Sequence, residues 1–229
     1  MAGASQVKVI SGGAMKSLML EVVPLFERAT GSKVDIKFAL TSVLIKDIEG
    51  GAAFDIALLP RADLDALAHA GKIAAGTQAD ITRSAVGFCV KAGTPKPDIS
   101  TVEALKGALL SARSIGYSDG PSGAYIADLL RRLGIADTVK SKTKLTSRLV
   151  AEIVAEGEAE VGMQQIVAIL PVKGAELVGP LPSELQNIIV YAAGLAASAS
   201  QSAAARTFIA FLAMPEVLGL IRAKGMEPG

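Results

Sequence analysis

Tryptophan is absent from this 229-residue chain, aromatic residues amount to 4%, and cysteine and histidine occur once each. So few aromatics exclude a base-stacking platform or a carbohydrate cleft walled by rings. A single cysteine excludes an internal disulfide. One cysteine and one histidine together cannot supply a structural zinc site, and His69 has no credible serine beside it to form a triad. Charge of one sign is lacking too: 23 Lys and Arg balance 22 Asp and Glu, for a net +1. Neither nucleic acid nor an anionic membrane is therefore the expected partner. The longest apolar stretch, Ile188 to Ala199, is broken by glycine and small residues and falls short of a membrane span.

What is present is an apolar chain, 51% hydrophobic with mean hydropathy +0.45, long enough to bury a sizeable core. Short β-branched runs alternate with helical patterns, which predicts an α/β fold with mostly parallel strands. Val7–Ile10 reads as a strand. A helix follows to about Thr30, its apolar face marked by Leu18, Val22, Leu25, Phe26 and Ala29 and its stop by Gly31. Further strands are expected at Val34–Ala39 and Phe54–Leu58, with helices at Ser42–Glu49 and Ala62–Ala70. Ser100-Thr101-Val102-Glu103 is a capping box. The pattern restarts with a strand at Ser114–Tyr117, a helix after it, another helix from Ser147 to about Glu156 and a strand at Glu160–Gln165. Helices over 201–213 and 215–223 close the chain. Two α/β lobes are implied, 1–83 with 192–229 and 84–191, joined by crossover strands near 84–91 and 188–195. One continuous sheet of about eight strands fits the same periodicity.

Three strand-to-helix loops are rich in small or hydroxylated residues: Ser11-Gly12-Gly13-Ala14, Thr41-Ser42, and Ser118-Asp119-Gly120-Pro121-Ser122-Gly123. A helix start offers unpaired N–H groups and partial positive charge, which suit an anion. None carries a dinucleotide or P-loop fingerprint. Lys16 lies one turn into the first helix and Lys46 one turn into the second. Arg148 follows Ser147, and its guanidinium can grip a carboxylate with two prongs. Gln164 and Gln165 end a strand in apolar surroundings, where their amides need partners or a ligand. Cys89, inside Val86-Gly87-Phe88-Cys89-Val90, reads as a buried small hydrophobe, and His69 as the last turn of a helix. No metal site and no cofactor is expected.

The motifs SGGAMKSL and IEGGAAFDIALLP, then Pro121-Ser122-Gly123-Ala124-Tyr125 followed by Ala127 to Gly134, and Gly157 to Gly162, resemble molybdate-binding proteins of the type 2 periplasmic solute-binding class. That resemblance implies a two-lobed fold with crossover strands and a small anion, an oxyanion or a di- or tricarboxylate, closed between the lobes. It also implies an ABC-type transporter permease as partner, and a periplasmic location if a signal peptide has been removed, or a cytoplasmic one otherwise. By position, the family's first oxyanion serine falls on Ala14, flanked by Gly13 and Lys16. Its second loop falls on Thr41 and Ser42, its backbone donors on Ser122, beside Gly123, and on Ser147, and its tyrosine on Gln165. The segment GMQQIVAILPVKGAELVGPLPSELQ is more similar to a divergent branch of the class, close to the aconitate isomerases, and the loss of those oxyanion hydroxyls, with Arg148, Gln164 and Gln165 nearby, suits a carboxylate ligand better. The alternative activity is then isomerisation of an unsaturated tricarboxylate, with Lys16 as the nominated base on condition that burial lowers its pKa.

Overall fold

A computed structural model describes residues 6–118 and 121–229, with only the backbone of Pro121 and Ser122. The chain forms two compact α/β units, one holding residues up to Arg83 together with Ile189–Gly229, the other Ser84–Ile188.

The first unit begins with β1 (Gln6–Gly12), a 3-10 turn (Gly13–Met15) and α1 (Lys16–Thr30), then β2 (Lys33–Ala39), α2 (Thr41–Glu49), β3 (Ile56–Pro60), α3 (Arg61–His69) and β4 (Ala79–Ser84). The second unit contains β5 (Val86–Lys91), α4 (Val102–Ser111), β6 (Ile115–Ser118), α5 (Pro121–Arg132), α6 (Ala136–Val139), β7 (Thr143–Thr146), α7 (Val150–Glu156), β8 (Val161–Gln165), α8 (Ile166–Ile169) and β9 (Ala175–Pro180). The chain returns to the first unit as β10 (Ile189–Leu195), α9 (Ser202–Phe211), α10 (Pro215–Ala223) and β11 (Glu227–Pro228).

Strand order in the first sheet is β11-β4-β10-β3-β1-β2. β1 runs parallel to both β2 and β3, and β10 is antiparallel to β3. The second sheet reads β7-β6-β8-β5-β9, with β6 parallel to β7 and β8, and β5 antiparallel to β8 and β9. Each sheet is thus mixed, a parallel trio extended by antiparallel strands. The long run expected over 84–91 is divided at Ala85 between β4 and β5, which belong to different sheets.

The first unit's tail is fixed by packing and by one carboxylate. Phe26 of α1 meets Phe208 edge-on at 4.8 Å and Phe211 at 5.5 Å, both from α9. Buried Asp55, just before β3, accepts hydrogen bonds from the Lys8 and Gln201 N–H groups and the Ser200 hydroxyl. Burial alone would raise its pKa, but those donors outweigh it and hold the carboxyl below its ordinary value. The same carboxylate occupies the start of α9, where a negative charge is favourable.

In the second unit glycines let α7 lie close on the sheet. Gly116, Gly162 and Cys89 stand in register across β6, β8 and β5. A methyl at Gly162 would come within 2.6 Å of Val150 and 2.9 Å of Val154, both on α7. Cys89 is fully buried, and burial pushes its thiol up to about 12. Where chain enters and leaves this unit, the Gln186 side chain accepts from the Val86 N–H and donates to the Val86 and Leu181 carbonyls.

No single helix among the described residues is long and apolar enough to cross a membrane.

Candidate functional site: the carboxyl ends of the parallel strands

In the first unit, β1 and β2 end side by side, with Gly12 paired to Ala39. The turn carrying Gly13 and Ala14 leads into α1 at Lys16, and α2 begins at Thr41 and Ser42. A Cβ placed on Gly12 would sit 3.5 Å from Thr41 Oγ1, so the two loops touch. Five predicted positions, Gly13, Ala14, Lys16, Thr41 and Ser42, are thereby gathered at one end of one sheet.

The N–H groups of a helix's first turn have no partner within the helix. Neither α1 nor α2 has a side-chain cap, and neither carries an acidic residue in its first turn. The longer helices away from the candidate site differ, while the four-residue α8 also lacks both. α3, α4, α7 and α10 have Asp63, Glu103, Glu152 and Glu216 in their first turns, and α9 has the carboxylate of Asp55. α4 is capped in addition by the Thr101 hydroxyl, which accepts from the Ala104 N–H. Positive potential is thus left unneutralised at the starts of α1 and α2.

In the second unit, β6 and β7 end in register at Ser118 and Thr146. α5 starts just beyond, and its first turn also has no acidic residue. Asp119 and Gly120 of the predicted loop, and the Ser122 side chain, lie outside the described residues. Gly123 is buried against Ser118, where a Cβ would come within 1.6 Å of the Ser118 carbonyl oxygen, so only glycine fits. Gln164 is 6% exposed, and its Oε1 accepts from the Val150 N–H at 2.7 Å, which caps α7. Gln165 ends β8, with its backbone in register with Val86. Both glutamines therefore stand at the same end of the sheet as α5.

Three expectations are corrected. Ser147 does not open a helix: α7 starts at Val150, with Leu149 as its N-cap, and Ser147 is exposed in the preceding bend. Arg148 is not free to grip a ligand. It is 45% exposed and its guanidinium reaches Glu156 at 2.6 Å, Glu158 at 3.2 Å and Glu152 at 3.6 Å, with Glu156 foremost in holding its pKa above the usual arginine value. Lys16 is exposed rather than buried, its Nζ 6.0 Å from the Phe38 ring centroid; the burial required of a lysine base is missing. Lys46 stands in the last turn of α2, away from the site. Sequence reasoning missed Thr146, whose hydroxyl accepts from the Arg148 N–H, and the N-cap positions of Leu40 and Leu149; no local signal marks any of them.

A cavity of about 730 Å³ opens at the opposite end of the second unit, between Lys91, Pro95 and the ion pair Arg113–Glu160. It shares no residue with the sites above.

Residues 7–227 match the family described as bacterial extracellular solute-binding protein. The chain belongs to that family. Among curated proteins, this solute-binding protein is 30% identical to an aconitate isomerase of Pseudomonas sp. over 227 residues, covering 96% of this chain and 87% of the relative. Its fold is shared with a substrate-binding domain assigned to a molybdenum ABC transporter of Clostridium difficile, at a TM-score of 0.85 and 16% identity over 99% of this chain and all of that one. The periplasmic molybdate-binding protein of Azotobacter vinelandii is similar at a TM-score of 0.76 and 19% identity, with 97% and 99% of the two chains covered. The α/β, type 2 periplasmic-binding-protein architecture expected of the resemblance is the one found.

Proposed function

We propose that this solute-binding protein captures a small anion, an oxyanion or a di- or tricarboxylate, outside the cytoplasmic membrane and presents it to an ABC-type permease. One observation carries the reading: α1 and α2 start side by side with neither cap nor carboxylate, whereas the chain's other long helices outside the candidate site are neutralised. The N–H groups of Ala14, Thr41 and Ser42, with the Thr41 and Ser42 hydroxyls, are the donors in the first unit. The start of α5 around Ser122 and Gly123 supplies the second set. Ser147, after β7, and Gln164 and Gln165, ending β8, share that end of the second sheet and are included in the proposed site. Such donors bind an anion without a counter-ion because their dipoles are already oriented.

Calorimetry and thermal melts with molybdate, tungstate, sulfate, citrate and cis- and trans-aconitate test this. A ligand present at a hundred times its Kd stabilises the folded state by about 2.7 kcal/mol. The proposal is refuted if none of these anions gives either binding heat or a rise in melting temperature.

A second reading, isomerisation of aconitate, is favoured by the identity to the Pseudomonas enzyme along nearly the whole chain. It requires a base against the carbon acid, and Lys16, exposed beside Phe38, does not meet that requirement as it stands. Following the aconitate double bond in the ultraviolet separates the readings, because a binding protein gives no turnover.

A further inference from the structure

We propose that the cavity of about 730 Å³ at the amino end of the second unit's parallel strands is a binding site for a small amphipathic monoanion, a single carboxylate or sulfonate on an apolar body. It lies apart from the strand ends assigned to anion capture and is independent of that reading.

Four segments that meet only in the fold make its walls. They are the proline loop after β5, the end of α4, the turn into β6 and the junction of α7 with β8. These walls are tied down. Lys142 Nζ donates to the Leu110 and Ala112 carbonyls at 2.6 Å each, which closes the end of α4. The Glu160 carboxylate accepts from the Arg113 N–H and, at 3.2 Å, from its Nε, while the Glu160 N–H donates to the Ser114 hydroxyl. Lys96 of the proline loop is paired with Glu176 at 2.7 Å. Bonded loops therefore hold the cavity open, as in a site formed before its ligand arrives.

Charge and size define the occupant. Among the described residues three charged ones line the cavity, Lys91, Arg113 and Glu160, and the last two cancel as an ion pair. Glu156 and Glu158, on either side of Gly157, are turned to Arg148. Lys91 is left with no ion pair or side-chain hydrogen bond among the described residues, its Nζ 3.7 Å from where a Cβ on Gly157 would stand. One positive charge beside low-dielectric walls attracts one negative charge. Those walls are apolar at Pro95, Pro97, Ala108 and Val161. Pockets of about 300–1,000 Å³ with such linings bury organic ligands of moderate size. An inorganic oxyanion would leave most of this volume unfilled, and a tricarboxylate would bring more negative charge than Lys91 neutralises.

Fluorescence titration with anilinonaphthalenesulfonate, competed by octanoate, tests the site. The wild type is expected to bind the probe saturably and to release it to octanoate, with octanol, the same chain without the charge, competing about three- to tenfold less well. Lys91→Gln should weaken octanoate by that factor and leave octanol unchanged, so that the preference for the acid disappears. Ala108→Phe fills the cavity from the α4 wall and should weaken probe and octanoate by more than about tenfold, with thermal melts showing that both variants fold. The proposal is overturned if the wild type shows no saturable binding, if octanol competes as well as octanoate, or if both variants bind as the wild type does. Displacement of the probe by citrate as readily as by octanoate would place it at the other end of the strands and overturn the proposal too. Failure of citrate and molybdate to bind anywhere would instead remove the anion-capture reading and leave this site standing.

Discussion

Replacing Gly162 by alanine adds one methyl group at the point where α7 rests on its sheet. That Cβ would lie 2.6 Å from a Val150 methyl, 2.9 Å from a Val154 methyl and 3.1 Å from Cys89 Sγ. Ordinary contact begins near 3.4 Å, so α7 must retreat by about 1 Å or the valines must leave their rotamers. Overpacking of this kind costs about 1–3 kcal/mol, which in a chain of this size lowers the melting temperature by about 3–10 °C. Gly107 is the control: it is exposed in α4 with nothing within 4 Å of its would-be Cβ. There the same change should stabilise by up to about 1 kcal/mol, because alanine loses less backbone freedom on folding. Thermal melts of the two variants, read by circular dichroism, therefore move in opposite directions. Equal melting temperatures for Gly162→Ala and the wild type would refute the account of α7 seated on a glycine floor.

Asp55→Ala should cost about 1–3 kcal/mol in urea unfolding, since the Lys8 and Gln201 N–H groups and the Ser200 hydroxyl lose their charged acceptor. Because the native state holds the Asp55 carboxyl below its ordinary value of 3.8, its stabilisation is complete above that pH and is lost as acid takes the pH down through the native pKa. The variant's stability should accordingly depend less on pH in that range; an unchanged acid profile would remove Asp55 from this role. With its thiol raised to about 12, Cys89 should stay unlabelled by a disulfide reagent at pH 8 in the native protein and react fully in urea. Labelling of the native protein at the rate of a free thiol would contradict its burial.

Much of the architecture was legible because local rules agreed with the global fold. Gly31 and Gly157 stop their helices in the left-handed conformation, at φ 71° and 85°, and α4 starts at the expected capping box, one residue on, with Thr101 rather than Ser100 as the cap. Elements whose identity depends on partners elsewhere were not legible. β9 carries Gly179 and Pro180, turn residues that read as a loop, yet it pairs along β5. β7 is four residues long and reads as nothing until β6 lies beside it. At the site, strand-to-helix order placed Gly13, Ala14, Thr41, Ser42 and Gly123 at the strand ends, since topology alone dictates that. The mistake over Arg148 arose because three glutamates, four to ten residues onward, compete for the guanidinium, and only the fold around α7 shows them converging.

The second unit is one uninterrupted stretch of chain, whereas the first is made of two pieces. β10 lies between β4 and β3 in its sheet, so that sheet is incomplete until residues near 195 have emerged from the ribosome. The second unit can collapse on its own during synthesis. The earlier strands, by contrast, must wait with an open edge at β3, where a stray strand could add. Until the carboxyl-terminal segment arrives, that edge has no partner from its own sheet.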